Sequence, residues 1–456
     1  MSSSPSSGGW STVSTDPLLI RGALVDGVRL DCRAADGRIV ALAPGLTTDP
    51  GDRILEARGG ALLPGLQDHH VHVLAAAATR VSLDLAGGPL PTPIEGSDAA
   101  DAADRGWLRV VGLGDDDVTR ADLDAVWPSR PVRAQHRSGA LWVLNSAATA
   151  ELTEHLTDEE RRTGRLWRER GRVAGAAERL TLVAQLAHLG RELAGWGVTG
   201  LTDATPDLDA ATLEFVRSSV PQRVWSLGAV ATDLPRKVVV TDHDDDTWER
   251  LRTGVLAARD EGRAVALHAV SRTALALAVA VLGEVGVVPG DRVEHAAVCD
   301  DATADRLAEL GVVVVTQPSI PARRGRALLE AVDPEDRPWL WRMGGLRARG
   351  VDVVLSSDAP YGDPNPWTSI ALSSGGLPEA GSPWLADETW DARSALGSYL
   401  TAPALPAGPE RRVGVGAPAD LCLLDGPLDE VLARVAGGGT TAPVRATVIG
   451  GRLVAQ

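Results

Sequence analysis

The stretch Pro64-Gly65-Leu66-Gln67-Asp68-His69-His70-Val71-His72 follows an apolar run, Ala61-Leu62-Leu63, and spaces His70 and His72 two residues apart. Alternate residues of a strand share a face, so this spacing sets two imidazoles side by side at a strand end, a ready pair of metal ligands. Beyond it, apolar strands alternate with helical stretches. Strands are expected at 66–72, 107–113, 198–203, 223–230, 237–241, 265–269, 292–295, 312–316 and 353–357. Helices are expected at 179–195, 247–261, 272–283 and 302–310. Apolar strands separated by helices imply an α/β fold with a parallel sheet covered on both faces. Over this length a closed (β/α)8 TIM barrel is favoured over an open sheet. Nine strands for eight places make one of them accessory.

The two chain ends have another texture. Leu18-Leu19-Ile20-Arg21-Gly22, Val28-Arg29-Leu30-Asp31-Cys32 and Arg38-Ile39-Val40-Ala41-Leu42 are short alternating runs separated by Asp26-Gly27 and Asp36-Gly37. Asp-Gly between such runs is a hairpin signal. Asp420-Leu421-Cys422-Leu423-Leu424 and the run from Ala446 to Val454 read alike. Residues 17–63 and 402–456 are therefore expected to form a composite β-sandwich domain, with 64–401 as the barrel. Residues 1–16, rich in Ser, Gly and Pro and without a basic then apolar leader pattern, are expected to be a disordered tail. Residues 75–104 read as a loop or insertion.

Composition narrows the function classes. The 456 residues are 44% hydrophobic and 23% charged, as in an ordinary soluble enzyme. A formal net charge of −16 offers no basic surface to nucleic acid or an anionic membrane. The cysteines Cys32, Cys299 and Cys422 lie far apart without a CxxC pair. That argues against a disulfide framework and a thiolate zinc knot, and fits a cytoplasmic location. The longest apolar run, 273–283, is too short to span a bilayer and is expected to be a buried helix.

Of nine histidines, His70, His72, His268 and His295 end or nearly end apolar strands, and Asp358 ends Val351-Asp352-Val353-Val354-Leu355-Ser356-Ser357. Strand C-termini of a barrel converge on one mouth, so these five residues can gather although they are far apart in sequence. Any one histidine is as readily a hydrogen-bonded core or surface residue; five in this pattern point to a catalytic metal site. Nitrogen and oxygen ligands without thiolate suit zinc first, with manganese, iron or nickel as alternatives. His155, His188 and His243 fall in polar or helical contexts and are expected to be structural or exposed. His69 faces the other side of its strand and is expected to support packing.

Leu63-Pro64-Gly65-Leu66 through His72, Leu267-His268-Ala269, Arg292-Val293-Glu294-His295-Ala296, Val315-Thr316-Gln317-Pro318, Ser357-Asp358-Ala359-Pro360 and Gly416-Ala417-Pro418-Ala419-Asp420-Leu421 resemble, in order, the motifs of the amidohydrolase superfamily, in its amidohydrolase-3 or YtcJ-like branch. The resemblance implies a (β/α)8 metallohydrolase with a β-sandwich built from both termini. It implies His70 and His72 as first-strand ligands, His268 and His295 as the histidines of strands five and six, and Asp358 as the strand-eight aspartate. Gly139-Ala140 stands where the branch often has Gly-His before an Asn-Ser pair, here Asn145-Ser146. His136 is the nearby candidate to replace it.

Several members of the superfamily bridge two metals with a carbamylated lysine. This chain has one lysine, Lys237, its other basic side chains being arginine. Carbamylation needs a neutral amine, which buried lysine can supply and arginine cannot. Lys237 is therefore expected as a metal ligand, carbamylated if it bridges two divalent ions. The expected chemistry is hydrolysis of a non-peptide C–N bond in an amide, N-acyl amine, formamide or cyclic amide, with Asp358 and His295 as catalytic residues. Deamination of an aminated heterocycle by a mononuclear site is the alternative, followed by a lactonase and a degenerate, non-catalytic barrel. Asn145, Tyr361 and Arg323 are candidate substrate-binding residues. A small-molecule substrate is the expected partner, and a homo-oligomer is compatible with the sequence.

Overall fold

The computed structural model describes residues 16–80, 82–85, 88–91, 107–114, 118–136, 139, 141–167, 176–230, 234–240, 246–376, 383–439 and 441–456. The expected tail up to residue 15, most of the 75–104 segment and His243 lie outside the described residues. The fold is α/β with mixed sheets. Its contacts define two compact units, one of Met1–Val73 with Ala187–Gln456, the other Leu74–Leu186.

The first unit begins with β1 (Leu18–Val25), β2 (Val28–Ala35), β3 (Arg38–Ala43) and β4 (Arg53–Glu56), in the order β3-β2-β1-β4. Asp26 and Gly27 have φ of 47° and 79°, and Asp36 and Gly37 of 49° and 73°. Left-handed backbone at both turn residues is what a two-residue hairpin needs, and it is why Asp-Gly signals one. β5 (Leu62–Pro64) leads into β6 (Leu66–Val71) through Gly65. A Cβ at Gly65 would meet the Thr199 side chain at 2.1 Å, so only glycine lets this strand lie so close to its neighbour.

The Leu74–Leu186 unit is built on β7 (Ser82–Asp84), β8 (Leu108–Leu113), β9 (Val132–His136), β10 (Leu141–Leu144) and β11 (Arg165–Trp167), in the order β11-β10-β9-β8-β7. The sheet is mixed: β7, β8 and β9 run parallel, while β10 is antiparallel to both of its neighbours. β8 is the expected strand at 107–113, and it pairs with β7 and β9 instead of joining the sheets that hold the other expected strands.

The chain then returns to the first unit with β12 (Val198–Asp203) and β13 (Arg223–Ser226), forming a parallel sheet in the order β13-β12-β6. A second parallel sheet holds β14 (Arg236–Val239), β15 (Val265–Ala269), β16 (Arg292–His295), β17 (Val313–Thr316) and β18 (Val353–Leu355) in sequence order. Backbone bonds link these sheets on both sides: Lys237 N donates to Leu227 O at 2.8 Å, and Asp358 N to His70 O at 2.7 Å. Helices Thr247–Asp260, Arg272–Val285 and Asp301–Leu310 lay their apolar faces on these strands. Ser271 and Asp300 cap the last two by accepting from Ala274 N and Thr303 N. The apolar run at 273–283 is thus a buried helix, and no helix among the described residues is long and apolar enough to cross a membrane.

β19 (Leu421–Leu424), β20 (Val444–Ile449) and β21 (Arg452–Ala455) complete a sheet in the order β21-β20-β19-β5. Leu18, Ile20, Cys32 and Ile39 from the first hairpins share one buried cluster with Leu421, Leu423, Ala446 and Val448. The chain ends therefore build a common apolar core.

Candidate metal centre

The parallel strands deliver their C-terminal side chains to one place. His70 lies near the end of β6 and His72 just past it, His268 near the end of β15, His295 at the end of β16, and Asp358 three residues after β18. Donor atoms of His70, His295 and Asp358 lie within 4.8 Å of one another, and all three residues are buried. Nε2 of His70 and Nε2 of His72 each stand 3.4 Å from Asp358 Oδ1. Nε2 of His295 contacts Nδ1 of His268 at 2.9 Å. Lys237 Nζ reaches His70 Nε2 at 3.3 Å although the residue sits early in β14, because its long stem spans the distance.

Backbone conformation helps the convergence. Strand alternation sends Val293 into the core packed beneath the helices and would send His295 after it. Instead His295 has φ 74° and Ala296 φ 47°, which ends the alternation and turns the imidazole toward His70. Asp358 has φ 50°. Non-glycine residues held in this region store strain that the surroundings must offset, and such residues cluster at functional sites. At Asp358 the surroundings are visible: Ser357 Oγ donates to Asp68 Oδ2, and the Ser357 and His70 amides both reach Asp68 Oδ1 at 3.2 Å.

In His70, His72 and His295 the Nδ1 nitrogen is engaged. His70 Nδ1 bonds Glu294 Oε2, His72 Nδ1 bonds Thr205 Oγ1 at 3.1 Å, and His295 Nδ1 bonds Gln317 Oε1 at 2.7 Å. Gln317 is oriented by its own amide, which donates to Val315 O and Ser356 Oγ. The Gln317 amide oxygen can only accept and so places the proton on His295 Nδ1, and the Glu294 carboxylate offers His70 Nδ1 the same, while the Thr205 hydroxyl can either donate to His72 or accept from it.

Charge completes the picture. Burial first, and the Lys237 ammonium second, hold His70 and His72 well below the ordinary imidazole range, and the same causes bring His295 to about 4. His268 is also held well below that range, by burial and then by His295. Burial likewise lowers Lys237, opposed by Glu294 and Asp358. Burial raises the Asp358 carboxyl to about 8, against the pull of Lys237. The imidazoles are neutral at pH 7, the state that binds metal. Asp358 Oδ1 is buried and has no hydrogen-bond partner among the described residues. That oxygen faces the Nε2 atoms of His70 and His72 across 3.4 Å, an unfavourable arrangement that a cation beside them would relieve. The donor set therefore fits a divalent ion, with His70, His295 and Asp358 at its centre and His72, His268 and Lys237 around them.

Other expected residues fall elsewhere or serve other roles. Asn145, expected at the substrate, spends its side chain on backbone. Its amide donates to Trp127 O at 2.8 Å and Arg130 O at 2.7 Å, while Oδ1 accepts from Val132 N and Ala148 N at 2.9 Å. It caps helix Ser146–Glu151 in the Leu74–Leu186 unit. Arg323 is exposed on helix Ser319–Ala331. Tyr361 stands edge-on to His72 with ring centroids 6.0 Å apart. His136 ends β9, and His155 and His188 are exposed. His69 is buried, its Nε2 within 3.0 Å of Thr401 Oγ1. Glu294, Thr205, Gln317 and Asp68 touch the site residues and escaped the sequence reading. The visible signal was Arg292-Val293-Glu294, two charged residues alternating inside an otherwise apolar strand.

Residues 53–455 match the model of the Amidohydrolase family, and the chain belongs to that family. A stretch of 142 residues is 30% identical to an N-substituted formamide deformylase from Arthrobacter pascens; it covers 29% of this chain and 26% of that protein. The match thus spans about a quarter of the length of this curated relative. A metal-dependent hydrolase from Pyrococcus furiosus shares the fold with a TM-score of 0.64 at 18% identity, over 90% of this chain and 98% of that one. An atrazine chlorohydrolase variant from Arthrobacter aurescens, solved with zinc and atraton, has a TM-score of 0.53 at 16% identity, over 96% of this chain and 95% of its own.

Proposed function

We propose that this member of the amidohydrolase family hydrolyses a non-peptide C–N bond of a small molecule: an amide, N-acyl amine, formamide or cyclic amide. The observation that carries the reading is the convergence of His70, His295 and Asp358 donor atoms within 4.8 Å. The local match to a formamide deformylase supports the bond type. The two parallel sheets, three- and five-stranded, close as a (β/α)8 barrel, and residues 17–63 and 402–456 form a β-sandwich beside it.

His70, His72, His268, His295 and Asp358 would hold the metal, zinc as first choice, and Lys237 would join them as a carbamate if two ions are bound. A divalent ion bound there would supply Lewis acidity, polarising the substrate carbonyl and lowering the pKa of water toward 7. Asp358 takes the proton of the attacking water and passes it to the leaving nitrogen. Burial makes Asp358 the more basic carboxylate, and a cation beside it would keep it ionised until the water's proton arrives. His295 would ligate the second ion of a two-metal site, or polarise the carbonyl if only one ion is bound. Tyr361, against His72, lines the substrate side.

A mononuclear deaminase of an aminated heterocycle is the second reading, favoured by one observation: the tight ligand group found among the described residues has three members, enough for a single ion. Elemental analysis of protein purified without chelator is expected to find one to two divalent ions per chain; finding none sinks both readings. A screen of N-acyl amines, formamides and aminated heterocycles, with ammonia detection, is expected to give turnover of the first two without ammonia release. Ammonia from the heterocycles alone selects the deaminase.

A further inference from the structure

Beneath the metal centre lies a buried charged chain that the proposed reaction does not use. Arg292 and Glu294 alternate on β16 and share its inner face, and both side chains are completely buried. Arg292 Nε donates to Glu294 Oε1 at 2.6 Å. The other oxygen, Oε2, holds His70 Nδ1. Arg292 Nη2 donates to His69 O at 3.0 Å, gripping the backbone next to His70. Two buried charges cost several kcal/mol each to desolvate, so a pair that served only packing is easily bettered by apolar side chains. The arrangement has a use that apolar side chains lack. Guanidinium can only donate, so Glu294 Oε1 accepts from Arg292 and Oε2 is the oxygen left to face His70. A carboxylate can only accept, so His70 must carry its proton on Nδ1.

We propose that Glu294 is a positioning residue that locks His70 in its Nδ1-protonated tautomer and aims Nε2 at the metal, while Arg292 holds Glu294 in place and ties down the His69–His70 backbone. The proposal rests on the metal-site reading above. His70 Nε2 is the nitrogen that meets Lys237 Nζ at 3.3 Å and Asp358 Oδ1 at 3.4 Å, so a flipped tautomer would point N–H where a lone pair is needed. Asp358 and Lys237 act at the reacting centre; Glu294 acts only through His70.

The test has two arms. Zinc affinity, measured by competition with a chromophoric chelator, is expected to fall about 10–100-fold in Glu294→Gln, whose amide can turn its N–H toward Nδ1. Glu294→Asp, which keeps the charge but withdraws it by one methylene, is expected to fall between. A folded Glu294→Gln protein, by circular dichroism, that binds zinc as tightly as wild type overturns the proposal. The second arm needs no variant. Nitrogen NMR of histidine-labelled wild type in chelator, with His70 assigned by its loss in His70→Gln, is expected to find the His70 proton on Nδ1. A proton on Nε2 overturns the proposal even if Glu294→Gln does not fold. Should wild type bind no divalent ion, the metal reading fails, and the NMR arm still decides the tautomer.

Discussion

Asp358 and Lys237 are coupled opposites: burial raises the acid and lowers the base. For Asp358 the consequence for stability has a definite sign. A carboxyl near 4 in the unfolded chain and about 8 in the folded one favours folding fully below pH ~4, and that contribution is lost as pH rises through 8. In chelator, Asp358→Asn is therefore expected to gain melting temperature relative to wild type as pH rises from 5 to 8; a constant gap between the two argues against the raised pKa. The same variant is expected to lose at least ~100-fold in turnover with metal restored. Lys237→Arg is expected to abolish activity, since guanidinium cannot form a carbamate, and Lys237→Ala to regain part of it with a short carboxylic acid. Full activity in Lys237→Arg refutes the bridge. Of the proposed metal residues, His70, His72, His268, His295 and Asp358 were readable because each ends or nearly ends an apolar strand. Glu294, Thr205 and Gln317 were not, because their importance lies in which nitrogen they touch.

Strand ends, more than whole strands, hold the centre together. Ser357 joins β18 to β6 by donating to Asp68, and its Oγ accepts from Ala359 N at 3.1 Å. Ser357→Ala leaves a buried carboxylate and an amide short of partners. It is expected to lower unfolding stability by about 1–3 kcal/mol in urea titration and to weaken metal binding, because the strained Asp358 loses its support. Arg263 does comparable work before β14. Its guanidinium donates to Gly228 O at 3.1 Å, Leu234 O at 3.0 Å and Pro235 O at 3.3 Å. Arg263→Met is expected to cost about 3 kcal/mol by the same measurement, by leaving buried carbonyls unpaired. Elements were the most legible scale. Expected helices at 247–261 and 272–283 appear as Thr247–Asp260 and Arg272–Val285. What periodicity could not supply was the membership of 107–113, which has the apolar look of its fellows yet pairs with β7 and β9.

At the scale of the molecule, a bound ion is a linkage term. A ligand that binds only the folded state stabilises it by about 4 kcal/mol at a thousandfold excess over its dissociation constant. Chelation is expected to lower the melting temperature, and restoring zinc to recover it in a concentration-dependent way. A melting curve indifferent to chelator would count against a resident metal. The acidic balance, net −16, leaves the chain free to concentrate cations rather than polyanions.

Sequence alone determined the alternation of strands and helices, the Asp-Gly hairpins of the N-terminal strands and the identity of the metal-binding candidates. Those follow from local rules: face periodicity, turn chemistry and the side chains that can ligate an ion. Tertiary structure decided the rest. Only folding brings Asp68 to Ser357 and Glu294 to His70, each across more than two hundred residues, and only it removes the water that would otherwise hold Asp358 and Lys237 at ordinary pKa values. Tautomer, pKa and strain depend on what surrounds a group in space, and spacing along a chain carries no record of that.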